Sequence, residues 1–413
     1  MSIESPNRPS GFELDQAPDY ARTLPTTDNL DVVDLLKDYA RTVGRTAAET
    51  AVAAMGSVIE IPSIFNGGDV RRDVTSSAPG TADGAAETRL KAAAEKYITD
   101  PEARTQFLQD LEAFKKRVAD RGLPELEFTK TLESVTKLLE SKDTYKGTGD
   151  PVMAARGIMF NAADPERINQ GPHGTCGTAS LEHKIYSNNP SVAADMVAQS
   201  VLEGKWTGRD GKTINMPAVS IPPDLDGKEE PDAGRRNYAS QMFQIMALND
   251  YGQHLNPPMT FVQGPPQVLR GENWQATHYD DHWLLANGEK KPLEEAGHGV
   301  FSKTGGIPAF AVASEVYRLT GEKMGVMTNR GFDLDDDPAN QRPEGITDDN
   351  IRDVRTRADL EKQLVELKGG AQLPMVVCLD ARMLVYSMNT NNGMTDLRKP
   401  QPEGATHFVT IAD

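Results

Sequence analysis

Two apolar stripes with the same spacing dominate the first third of the chain. Phe107, Leu111, Phe114 and Val118 fall at i, i+4, i+7 and i+11, and Phe128, Leu132, Val135 and Leu139 repeat the pattern. That period places each set on one face of a helix. Asp100 supplies a cap, Pro101 a first helical residue and Gly122 a stop, so "RGLP" becomes the turn of an antiparallel helical hairpin. An earlier helical pattern runs through "NLDVVDLLKDYARTV", with Val32, Leu36, Tyr39 and Val43 on one face. Residues 1–27 are polar and proline-rich and are expected to be disordered. Residues 66–84 carry few apolar groups and are predicted to form a linker within a helical region spanning 28–149. From residue 150 prolines and glycines become frequent and the apolar runs shorten. "KWTGRDGKTI" predicts a hairpin turning at Asp210-Gly211. "RADLEKQLVELKGG" predicts a helix, "PMVVCLDA" a strand, and "THFVTIAD" a last strand after a long loop. The fold class implied is α+β, with a helical N-terminal region followed by a mixed domain over 150–413.

Charge and composition narrow the function classes. The 413 residues carry 44 Lys and Arg against 61 Asp and Glu, a net charge of −17. An acidic surface repels phosphate backbones and anionic lipid, which argues against nucleic-acid binding. No apolar run approaches the ~18 residues of a membrane helix, so no membrane insertion is expected. "MSIESPNRPSGFELDQAPDY" lacks the apolar core of a secretory signal. The expected location is the cytoplasm, or a compartment reached without a cleaved signal. Two cysteines, Cys176 and Cys378, are too few for a disulfide framework. Cys378 lies inside an apolar strand and is expected to be a buried small hydrophobe.

Cys176 is the more informative. It follows the glycine loop "NQGPHGT" and opens a predicted helix that stops at "NNP", with Thr175 placed to cap it. The unpaired N–H groups at a helix start favour thiolate over thiol. Gly171 and Gly174 allow a substrate close to the backbone, and Gln170 can aim an amide at the same spot. That amide and the Cys176 N–H would make an oxyanion hole for acyl transfer. Such a site needs a base, and the chain has seven histidines. His183 lies seven residues into the same helix, ~10 Å along its axis, too far to take the thiol proton. His173 is expected to be a solvated loop residue, and His254 and His298 sit in Pro/Gly-rich loops without signal. His278 and His282 in "HYDDH" have a spacing that could ligate metal on a helix, but no surrounding motif supports it. His407 opens an apolar strand after a glycine-containing loop, where a ring can face a cleft.

These residues resemble the papain-like cysteine peptidases. "QGPHGTC" is similar to their active-site pattern Q-G-x-x-G-S/T-C, matching at Gln170, Gly171, Gly174, Thr175 and Cys176. "LPMVVCLDA" and "GATHFVTIAD" are similar to two later strands of that superfamily, the second carrying the catalytic imidazole. The match covers residues 170–190 and 357–413. Between them, "GGIPAFAVASEVYRLTG" is similar to a helix of the calpain branch. The resemblance implies a two-lobed domain over 150–413, a helical lobe with Cys176 and a small β-barrel with His407. It implies hydrolysis of a peptide or isopeptide bond, with Cys176 as nucleophile, His407 as base and Gln170 as oxyanion donor. The implied partner is a protein or peptide substrate, and no metal or organic cofactor is implied.

Three departures qualify the resemblance. Gly177 stands where the superfamily has an aromatic. Cys176 and His407 are farther apart than the ~130–150 residues usual in papain and the cathepsins, as in divergent bacterial or calpain-type branches. No Asn or Asp follows on a later strand to orient the imidazole. Asp413 is six residues past His407, roughly 20 Å along the strand, and out of reach. The expectation is therefore a C-terminally truncated domain, or an upstream acid such as Asp380 in the orienting role. Two alternatives share this machinery: a transglutaminase or glutamine deamidase, and an inactive papain-like binding module. The acidic "DLDDDPANQRPE" matches calcium-loop spacing at Asp333, Asp335, Asp337 and Glu344, but Pro338 occupies the position that needs a sharp glycine turn. It is expected to be an exposed acidic loop.

Overall fold

The structure is a computed structural model. It describes residues 82–145, 148–217 (except 172 and 174), 236–292 (except 265 and 271–274) and 309–324, with 307, 326–328, 344–345, 351–353, 362, 375–380 and 406–411. The helical pattern at 29–43, the segment 1–27, the acidic loop 333–344 (except Glu344) and most of the predicted helix at 357–370 lie outside the described residues. All described residues belong to one compact unit, Pro62–Arg355 with Asp359–Asp413.

The first helix, α1 (Ala82–Tyr97), begins inside the segment expected to be a linker. The hairpin follows as α2 (Pro101–Arg121) and α3 (Glu125–Glu140). Asp100 accepts the Glu102 N–H at 2.9 Å, and Gly122 ends α2 at φ 62°, the left-handed conformation of a helix stop. Phe107, Leu111, Phe114, Phe128, Leu132, Val135 and Leu139 are buried, and the Phe114 and Phe128 rings meet at 5.4 Å. Val118, at the end of the stripe, is partly buried against the same core.

Next come α4 (Pro151–Ala163), a short 3-10 turn at Pro165–Arg167, α5 (Cys176–Asn188) and α6 (Pro190–Glu203). Strands β1 (Lys205–Thr207) and β2 (Thr213–Asn215) form the expected hairpin, with Gly211 at φ 81°. Helix α7 (Tyr238–His254) is buried at every position from Tyr238 to Gly252. It crosses α4 at Gly157, where a Cβ would lie 2.8 Å from both the Ala239 Cβ and the Asn237 Oδ1. The two backbones approach this closely only because Gly157 lacks a side chain.

Strand β3 (Met259–Val262) pairs with β6 (His282–Leu285), which pairs with β7 (Lys290–Pro292); β4 (Pro266–Arg270) and β5 (Gln275–Tyr279) form a ribbon between them in sequence. Helix α8 (Ala309–Thr320) lies within "GGIPAFAVASEVYRLTG". Strands β8 (Val326–Thr328) and β9 (Ile351–Asp353) pair in parallel, and β10 (Met375–Asp380) and β11 (Thr406–Ile411) antiparallel. The class is α+β. The described strands form two- and three-stranded sheets with no closed barrel, so the expected small β-barrel is not seen among the described residues; β10 and β11 form a two-stranded ribbon.

One hydrophobic core runs from Leu90 in α1 to Leu319 in α8. The hairpin packs on α4 and α6, and α5 is covered by α6, α7, α8 and β11. Arg117 of α2 ties the parts together. Its guanidinium donates to the carbonyls of Ala162 (2.8 Å), Tyr186 (2.9 Å) and Ser187 (3.2 Å), at the C-terminal ends of α4 and α5. A cation there meets the negative end of both helices. Burial holds its pKa down at about 10, still charged at neutral pH.

Candidate active site

Cys176 is the first residue of α5, and α5 ends at Asn188 where "NNP" predicts it. It is buried, at 6% exposure. Thr175 occupies the N-cap position, but its hydroxyl makes no capping bond, contrary to expectation. It donates instead to Gln244 Oε1 of α7 at 2.8 Å. A buried hydroxyl with a strong acceptor beside it is drawn sideways into the core. The N–H groups of a helix start carry partial positive charge, and Cys176 stands at that end of α5.

The loop before Cys176 hangs from the same glutamine. Gln244 Nε2 donates to the Asn169 carbonyl at 3.1 Å, so residue 169 at one end and Thr175 at the other share one side chain. Between them Asn169 Oδ1 accepts the Gly171 N–H at 2.8 Å, and Gly171 turns the chain at φ 66°. The Arg236 side chain lies under this turn, with its Cγ 3.2 Å from where a Cβ of residue 171 would stand. Residue 171 therefore needs glycine for its conformation and for the room. Arg236 is itself fixed by Gln244 Oε1 at 2.8 Å and by Gln263 Oε1. The Gln170 amide is half-buried and donates to the His173 carbonyl at 3.2 Å, within its own loop.

His173 departs from the sequence expectation. It is not solvated: its side chain has 0% exposure, and Nδ1 lies 2.8 Å from Asp281 Oδ2. Asp281 belongs to "HYDDH", 108 residues away. No local pattern linked those two segments, and two short polar motifs at that separation give no periodic signal. His282 of the same motif is buried in β6, its Nδ1 2.7 Å from the Asp280 carbonyl. Among the described residues no three His, Cys, Asp or Glu side chains converge on a metal-sized site.

His407 lies on β11, and the backbone of α5 packs against that strand. The helix that starts at Cys176 and the strand that carries His407 are therefore neighbours. In the β10–β11 register, His407 faces Leu379 and Asp380 faces Thr406. Faces alternate along a strand, so Asp380 is one place out of phase with His407. The side chains of His407, Asp380 and Cys378 lie outside the described set.

Beneath the site is a buried polar network without a sequence signature. Glu182, on α5, accepts from Asn161 Nδ2 and Gln244 Nε2, each at 2.9 Å. Asn161 also reaches Ser240 Oγ at 2.9 Å and accepts from Asn237 Nδ2 at 2.7 Å. Burial pushes the Glu182 carboxyl up to about 7, against the pull of the Gln244 and Ser240 hydrogen bonds and the Arg236 charge. Its neighbour His183 goes the other way. Burial and the Arg117 charge lower it to about 4, so the ring stays neutral.

Compared with known proteins, the chain matches no family model, no curated protein and no solved structure. Among the described residues no helix is long and apolar enough to cross a membrane.

Proposed function

We propose that the chain is a papain-like thiol hydrolase, two-lobed in plan, that cleaves a peptide or isopeptide bond through an acyl-enzyme on Cys176. The observation that carries this reading is the Cys176 helix start. The cysteine opens α5, its cap residue is turned away, its loop is clamped at both ends by Gln244, and the strand of His407 packs along the same helix. In this scheme His407 takes the thiol proton and the thiolate attacks the scissile carbonyl carbon. The oxyanion is held by the Cys176 N–H and the Gln170 amide, which has two N–H groups and lends one to His173. Collapse expels the amine, which takes the proton back from His407. Water, deprotonated by His407, then hydrolyses the thioester and restores the thiol.

Three measurements test the scheme. Iodoacetamide at mildly acidic pH should label Cys176 far faster than Cys378, since a thiolate at a helix start forms below the free-thiol pKa of ~8.5. Turnover of a quenched fluorescent peptide mixture should vanish with Cys176→Ala. Gln170→Ala should lower kcat by ~10²-fold with the fold retained. Equal labelling of the two cysteines, or turnover that survives Cys176→Ala, overturns the reading. Ammonia release from glutamine peptides without chain cleavage would instead assign the acyl-enzyme to deamidation.

A further inference from the structure

The His173–Asp281 couple is the feature that the scheme above does not use. Several observations show a built arrangement. Both side chains are buried, at 0% and 6% exposure, and a buried ionisable pair is costly unless it is well partnered. Asp281 is seated by more than the imidazole: its second oxygen, Oδ1, accepts the Gly264 N–H at 3.0 Å. That approach requires glycine, because a Cβ at 264 would overlap the Asp280 backbone. The Nδ1–Oδ2 contact at 2.8 Å holds the ring in place against the carboxylate. The backbone of the same histidine then holds Gln170, whose Nε2 donates to the His173 carbonyl at 3.2 Å.

We propose that His173 and Asp281 are a positioning pair for the oxyanion donor. The Asp281 carboxylate, anchored between β3 and β6, fixes the His173 ring, and through the His173 carbonyl it sets the aim of the Gln170 amide. The pair touches no reacting atom; it acts through Gln170. An apolar anchor could also tie the loop down, but it would not orient a peptide carbonyl toward an amide. The proposal rests on Cys176 as nucleophile and Gln170 as oxyanion donor, and it adds the residues that give Gln170 its direction.

The test is a double-mutant cycle in the full chain, with p-nitrophenyl acetate as acyl donor and iodoacetamide as thiol probe. Asp281→Asn is expected to lower kcat by about 10-fold or more, with KM and the Cys176 alkylation rate within about twofold, because alkylation develops no oxyanion. In a Gln170→Ala background the same change should cost nothing further, since its effect runs through the missing amide. His173→Gln provides a second route if Asp281→Asn lacks a cooperative unfolding transition, and the same loss and coupling are expected. Additive losses in the cycle, an unchanged kcat, or a fall in alkylation that matches the fall in kcat would overturn the pair while leaving the Cys176 reading intact. If Cys176→Ala hydrolyses the ester as fast as the unaltered chain, the reading of the site fails first and the pair falls with it.

Discussion

The α2–α3 hairpin and the loop from Asn169 to Cys176 are specified in opposite ways. The hairpin is built from signals that act within a few residues: a cap, a proline, two stripes and a left-handed glycine. The loop has none of that regularity. Its conformation depends on Gln244, 69 residues after Thr175, on Arg236 under Gly171, and on Asp281 beyond both. A stripe buries itself against whatever apolar surface is near and tolerates small shifts. A loop held by single hydrogen bonds to buried amides does not, because each lost partner leaves a desolvated group behind. The hairpin should therefore govern stability, and the loop should govern reactivity.

The largest effect is expected in the hairpin. Leu132 is fully buried, and Leu132→Ala should cost about 2–5 kcal/mol in a urea titration, leaving the alkylation rate of Cys176 in the folded fraction unchanged. A parallel loss of Cys176 reactivity would mean that the two regions are not separable.

A second effect, of about 3 kcal/mol for each group, lies between them, at Glu182 and His183. The Glu182 carboxyl is raised from 4.5 to about 7, so its contribution is present below pH 4.5 and is lost as pH rises toward 7. The His183 ring is lowered from 6.5 to about 4, so its contribution is present above pH 6.5 and is lost as pH falls toward 4. The two slopes oppose each other and should largely cancel between pH 4.5 and 6.5. His183→Asn should expose a stability that falls with rising pH, and Glu182→Gln one that rises. Urea midpoints at three pH values check the slopes, and identical slopes in the two variants would refute the assignment.

Gly171→Ala should reverse the hairpin result. A left-handed alanine costs about 1–2 kcal/mol, and here it also presses on the Arg236 side chain. The stability change should be modest and the loss of Cys176-dependent turnover the larger effect. The smallest change is at the helix start: Asp100→Ala removes the cap of α2 and should cost about 1 kcal/mol by thermal unfolding, with no effect on turnover.

Much of the frame was legible in residue order. The limits of α2, the start and end of α5, the β1–β2 turn and the β10 and β11 strands all fall where local patterns place them. Helix α1 falls mostly within the region expected to be helical but was not singled out, because its core-facing stripe, Ala86, Leu90, Ala93, Ala94 and Tyr97, is largely alanine and gives little hydrophobic contrast. Helix α7 was missed for the opposite reason. It is buried on all sides, so its apolar residues show no period, and its glutamines and asparagines resemble a surface until their buried partners are known.

At the site, Gln170, Gly171, Thr175 and Cys176 could be picked out because the motif is contiguous. Their support could not. Thr175 looked like a cap and His173 like a solvated residue, because capping geometry and exposure follow from neighbours that sequence does not list.

What the sequence by itself determined was the set of elements whose signals lie within a helical turn or a hairpin: α2, α3, the two ends of α5, and the strand carrying His407. Tertiary structure alone decided what those elements meet. It set Thr175 on Gln244, His173 on Asp281, Glu182 between Asn161 and Gln244, and β11 along the Cys176 helix. The physical reason is range. Backbone propensity and capping act over about four residues, whereas the cost of burying a carboxylate or an imidazole is set by groups 21 to 108 positions away.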